Sequence, residues 1–211
     1  QVSVNTTLTQ GQLVWVGTAS NVWTNTSNWL IYNTTGVYSV PSSAPATTSS
    51  IVVPVTGTCV VNYPSITSAT VYAKDVLIES GATLTMGAGG ILNVAGNIIN
   101  NGTFTAGSGS VILNGAVAQT ISGNAPTFNN LTINNTSGGV TSSVATTVLG
   151  TLTLTSGKLN VQGVTLTIGS SSTDGTISGG GSTSYIVAYD AGSTIGYVKH
   201  FVNANNVLHS Y

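Results

Sequence analysis

Residues 76–113 read VLIESGATLTMGAGGILNVAGNIINNGTFTAGSGSVIL, a run of short apolar bursts broken by glycine turns, and this rhythm decides the fold. The bursts are Val76-Leu77-Ile78, Thr83-Leu84-Thr85, Ile91-Leu92-Asn93-Val94, Asn97-Ile98-Ile99, Thr103-Phe104-Thr105 and Val111-Ile112-Leu113. Apolar residues do not recur at three and four, so a helix is excluded; β-branched residues alternating with Thr or Asn predict strands. The centres Leu77, Leu84, Leu92, Ile98, Phe104 and Ile112 lie six to eight residues apart. Hairpin sandwiches need about eight to twelve residues per strand and turn. Strands of three or four residues are too short for isolated hairpins. They become stable when each stacks on an equivalent strand one coil away.

Three such strands make a coil of roughly twenty residues, within the range of solenoid repeats. Leu77 to Ile98 to Ile121 gives steps of 21 and 23 residues. The same pattern continues through Gln119-Thr120-Ile121, Asn130-Leu131-Thr132-Ile133, Thr151-Leu152-Thr153-Leu154, Lys158-Leu159-Asn160-Val161 and Thr165-Leu166-Thr167-Ile168. Turn residues such as Asn101-Gly102, Asn114-Gly115 and Ser156-Gly157 separate them. The expected fold is all-β: a parallel β-helix, or β-solenoid, with an aromatic-rich N-terminal cap. Inward columns of Leu, Ile and Val form its core, and outward Thr, Ser and Asn stack on their own kind.

Composition divides the chain into three segments. Residues 1–70 hold Trp15, Trp23 and Trp29 and every proline but Pro126, and read as the cap and first coils. Strands are expected at Ile51-Val52-Val53 and Cys59-Val60-Val61. The alternative is a carbohydrate-binding module with the tryptophans as sugar platforms. Residues 71–183 are the solenoid repeats. Residues 184–211, which carry both histidines, read as terminal strands or the start of a following module.

The chain has three Lys, no Arg and four acids in 211 residues, against roughly a quarter charged in an ordinary domain. So few cations cannot hold nucleic acid or anionic lipid. Low charge also removes repulsion between copies, which fits tethering or self-association by end-to-end stacking. Val, Ile and Thr are too abundant for disorder. Cys59 is the single cysteine, so no intrachain disulfide forms, and it reads as a small buried apolar residue. The polar opening at Gln1 fits a secreted chain after signal removal. No stretch approaches the ~18 apolar residues of a membrane-spanning helix, so membrane insertion is not expected.

Candidate chemistry is sparse. Asp75 and Glu79 flank one short strand, and paired carboxylates are what glycoside hydrolysis requires. Both adjoin turns, however, and Lys74 is an equally good surface partner. His200 and His209 have only Asp190 near them in sequence. The repeats carry Asn and Gly where repeat-type calcium sites carry Asp. No catalytic residue, metal site or cofactor is therefore assigned. Sequons at Asn5, Asn25, Asn33, Asn101, Asn130, Asn134 and Asn135 are expected by chance in a chain so rich in Asn and Thr. The pairs Thr83/Thr85, Thr103/Thr105, Thr151/Thr153 and Thr165/Thr167 are of the kind that stack into flat hydroxyl arrays, suited to glycan, to ice or simply to coil packing.

Trp15 to Trp29, Val53-Pro54, Tyr63-Pro64 and VLIESGATL (76–84) together resemble the opening of large secreted Bacteroidetes surface proteins. VAGNIINNGTFT (94–105), VILNGAVAQTI (111–121), FNNLTINN (128–135), GTLTLTSGKLNV (150–161) and Ile195-Gly196-Tyr197-Val198 strengthen the resemblance. It implies β-helical, adhesin-like proteins exported by the type IX route, with no shared catalytic residues. The C-terminal sorting domain of that family has no counterpart in these residues, which fits processing or truncation. The expectation is a secreted structural or adhesive solenoid, a stalk module or fibre subunit without catalysis. A carbohydrate- or ice-binding module is the alternative, and a polysaccharide-active enzyme a third.

Overall fold

The computed structural model of the chain describes residues 4, 6–33, 37–55, 60–189 and 194–202, with backbone alone at 207–210. Cys59, Asp190, Asn5 and Tyr211 lie outside the described residues, as does the side chain of His209. The chain is a β-solenoid of six complete turns, each with three strands on three faces. The first turn runs through Ile51–Val53 on face 1, Ser65–Ile66 on face 2 and Thr70–Ala73 on face 3. It then returns to face 1 at Val76–Ile78, paired in parallel with its own start. The circuit repeats until Leu159–Asn160, Thr165–Ile168 and Thr176–Gly179 complete the sixth turn.

Face 3 shows the repeat at its most regular. Val71, Leu92, Val111, Leu131, Leu152 and Ile177 lie above one another, at steps of 21, 19, 20, 21 and 25 residues. The first five are buried and form one inward column. Ala73, Val94, Leu113, Ile133 and Leu154 form a second. Each buried Leu, Ile or Val contributes roughly 1.5–3 kcal/mol, so stability accumulates rung by rung and surface ion pairs are not needed. The alternating residues Thr132, Thr153, Ser110 and Thr151 point outward, as strand geometry requires.

Corners are tight because backbone passes close to backbone. A Cβ at Gly102 would collide with the carbonyl oxygens of Glu79 and Ala82 in the turn beneath. Gly157, at φ +78°, would meet the Asn135 oxygen in the same way. Only glycine fits both the approach and the second position's left-handed backbone.

Two expectations need correction. Val76 and Ile78, not Leu77, point inward, and Val76 is the residue beneath Ile98. In an all-apolar run nothing in the sequence sets the phase of the pleat. Val60-Val61 is not a strand; Val61 is exposed and donates its N–H to Val16 O.

The N-terminal end is closed. Leu13–Trp15 adds in parallel beneath Ile51–Val53, then pairs antiparallel with Trp29–Tyr32, which pairs with Tyr38–Ser39. The outermost strand, Tyr38–Ser39, is only two residues long, which leaves little edge for further pairing. Asn28, wholly buried, holds the connecting loop: its Oδ1 accepts from Ala19 and Ser20 N–H, and its Nδ2 donates to Val22 O. Among the described residues, the C-terminal end is covered by strands on two faces. Ile186–Val187 covers face 1, and Tyr197–Val202 with the antiparallel 207–210 covers face 2. Face 3 stops at Thr176–Gly179, where Ile177 is 36 % exposed although the column beneath it is dry.

Candidate functional surfaces

The three tryptophans are not a sugar platform. Trp15, Trp23 and Trp29 are all buried. Trp29 meets the other two rings edge-on, with centroids 4.9 and 4.8 Å away. Two of the three polar tips are used internally: Trp29 Nε1 donates to Trp23 O at 2.7 Å and Trp15 Nε1 to Asn62 O at 2.6 Å, while Trp23 Nε1 is buried without a partner. Rings this size beside Val and Leu bury more apolar area as a plug than any surface pose would remove from water. They leave the candidate ligand surface and join the core.

The threonine pairs divide between two faces. Thr83 and Thr85 lie beneath Thr103 and Thr105 on face 2. Thr165 and Thr167 share that face three turns later, whereas Thr151 and Thr153 stand on face 3, above Asn130 and Thr132. Sequence reading missed two members of the face 2 array. Thr127 pairs with Thr147 and Thr147 with Thr167. Phe104 lies 5.1 Å from Phe128 across the break between the two sheets of this face. The outcome is two hydroxyl ladders on face 2, Thr83 and Thr103 in one and Thr127, Thr147 and Thr167 in the other, the second capped by Lys199. Rungs are about 4.8 Å apart. No motif marks Thr127 or Thr147, because their neighbours in the column are 20 or more residues away.

Asp75 joins successive turns. Its Oδ2 accepts from Ser50 Oγ at 2.7 Å in the turn below, and its Oδ1 from Asn97 N at 2.8 Å in the turn above. Asn97 Oδ1 in turn accepts from the N–H and hydroxyl of Thr120. Lys74 Nζ is 3.9 Å from Asp75, a loose exposed pair of little energetic weight. Replacing Asp75 with alanine leaves one donor in each neighbouring turn, the Ser50 hydroxyl and the Asn97 N–H, without its acceptor. The expected loss is about 1–3 kcal/mol of unfolding free energy, read by urea titration; an unchanged midpoint would sink this assignment. Glu79 is buried and lines a hollow of about 340 Å³ with Thr6, Leu77, Ile99 and Asn101.

The terminal hairpin sets His200 opposite His209 in register, and His200 Nε2 lies 3.0 Å from Gly175 O. Among the described residues no group of three metal-binding side chains gathers, and no helix is long and apolar enough to cross a membrane. Asn135, one of the sequon positions, is wholly buried and hydrogen-bonded.

A groove runs along the corner where face 1 turns into face 2. It encloses about 560 Å³ over four successive turns. Ala125 and Ala145 form its floor, and Thr165, Ile195 and Tyr197 its upper end. Thr165 pairs with Tyr197 one rung above. Tyr197 is 62 % exposed. Comparison with family models, with curated proteins and with solved structures finds no match for this chain.

Proposed function

We propose that the chain is a secreted structural and adhesive β-solenoid, a rod-like stalk segment or fibre subunit at the cell surface, acting without catalysis. The observation that carries this reading is the unbroken inward column from Val71 to Leu152, ending at the half-open Ile177. Such a column builds length and stiffness at one rung per turn. Its exposed end is where a further coil adds. The chain has only three Lys, no Arg and four acids, of which Glu79 is buried, so contact between copies meets almost no electrostatic barrier.

The purified chain is expected to associate end to end, giving rods by electron microscopy and concentration-dependent sedimentation. Raising salt from ~0.1 to ~1 M shortens the screening length from about 10 to about 3 Å and leaves this association unchanged. Ile177→Lys sets a charge in the seam and abolishes it. A chain that stays monomeric at every concentration sinks the fibre form. Glycan turnover lost in Asp75→Ala or Glu79→Ala sinks the passive reading altogether.

A second reading, a carbohydrate- or ice-binding module, is favoured by the two threonine ladders on face 2. Regular hydroxyls on a face with Lys199 as its one charge among the described strands suit a ligand that is itself a lattice of hydroxyls. Thr83→Val together with Thr103→Val separates the two readings, because only the binding module loses retention on such a surface.

A further inference from the structure

Outward positions on face 2 form two adjoining rows near the corner. The second hydroxyl ladder is Thr127, Thr147 and Thr167, and two residues earlier in each strand or corner stand Ala125, Ala145 and Thr165. Small side chains in the second row sink its floor below the first, which produces a trough parallel to the solenoid axis. Three rung steps of about 4.8 Å make it roughly 14 Å long. At its upper end, directly above Thr165, the Tyr197 ring stands mostly in solvent with Ile195 beside it. An exposed aromatic next to an exposed apolar residue at the end of a hydroxyl-flanked trough is a poor arrangement for stability, since both rings and methyls stay wet. It is a good one for a ligand with an apolar face and a polar rim.

We propose that this corner groove binds a single chain of a neutral polysaccharide, with Tyr197 as the stacking platform and the Thr127–Thr147–Thr167 column supplying hydroxyls along one side. Pyranose rings present C–H faces to an aromatic ring and hydroxyls at their edges, and a linear glycan repeats them along its axis. No ionic group stands among the groove's lining residues, and Lys199, which tops the threonine column, is a single cation against the repeated charges of a uronate or sulfated chain, so the lining favours a neutral polymer. This inference rests on the adhesive reading and names the class of surface that the rod would hold.

The test is native affinity electrophoresis of the full chain in gels containing hydroxyethyl cellulose, laminarin or dextran, with alginate as the anionic comparison. At least one neutral polymer is expected to retard the chain. Tyr197→Ala weakens that retardation about tenfold, Tyr197→Trp preserves it, and Ala145→Gln, which fills the trough, abolishes it. Both positions are exposed, and unchanged urea midpoints confirm that the variants fold. No retardation by any neutral polymer overturns the proposal. So does retardation by alginate alone, or retardation indifferent to Tyr197→Ala and Ala145→Gln. End-to-end association measured on the same preparations reports on the structural reading separately, so either one can fail while the other stands.

Discussion

Trp29→Ala is expected to cost about 3–5 kcal/mol, enough to leave much of the chain unfolded if its total stability lies in the usual range of about 5–15 kcal/mol. Trp29 sits between Trp15 and Trp23 and hydrogen-bonds the Trp23 carbonyl, so truncation opens a hole that both neighbouring indoles border. The damage is larger than an equal cavity in mid-solenoid. The tryptophan cluster closes the end of the apolar columns, and without it the first rung faces water on its free side. Trp29→Phe keeps a ring but loses the indole N–H and part of the volume, and should fall between wild type and alanine. Urea titration followed by far-ultraviolet dichroism measures all three. If Trp29→Ala folded with an unchanged midpoint, the tryptophans would not be the plug, and a surface role would return.

The rhythm of the repeat was legible because it is local. A three- or four-residue strand closed by Asn-Gly or Ser-Gly announces itself within eight residues, as 76–113 does. What pairs with what is not local. Val76-Leu77-Ile78 offers three apolar residues to a pleat that buries two, and only the turn above settles which. Thr146-Thr147-Val148 hides its outward member, because Thr146 turns inward and bonds Ser142 while Thr147 joins the hydroxyl column. Tyr197 stands above Thr165 across an insertion that lengthens that step to 32 residues, well outside the twenty-residue period. The corner groove was illegible for a further reason: its floor is alanine, a residue whose only message there is the space it leaves.

Gln119→Leu should be more damaging than most apolar truncations in the same column, although leucine suits the column better by hydrophobicity. Gln119 is wholly buried in a row that continues as Val140, Leu159 and Ile186, and it shares that row because of what lies below. Its Nε2 donates to Val94 O at 2.9 Å and Gly96 O at 2.5 Å. Its Oε1 accepts from Gly115 N at 2.8 Å and from Asn135 Nδ2 at 3.0 Å. Asn135 passes the connection upward, its Oδ1 accepting from Ser137 and Gly139 N–H. Two residues therefore satisfy the corner backbone of three successive turns. Leucine fills the volume but strips the Gly96 carbonyl and the Gly115 amide of their partner in the interior, at about 1–3 kcal/mol each, or about 2–6 kcal/mol together, while Val94 O keeps the Asn114 N–H. Val140→Ala, one rung higher, removes two carbons and leaves every hydrogen bond intact; about 1–3 kcal/mol is expected. Hydrogen exchange adds a local readout: the Gly115 and Gly139 amides should exchange faster in Gln119→Leu and not in Val140→Ala. Equal costs for the two variants would mean that the Gly96 carbonyl and the Gly115 amide find other partners. The solenoid would then be held by its apolar columns alone, with no need of the polar clamp between them.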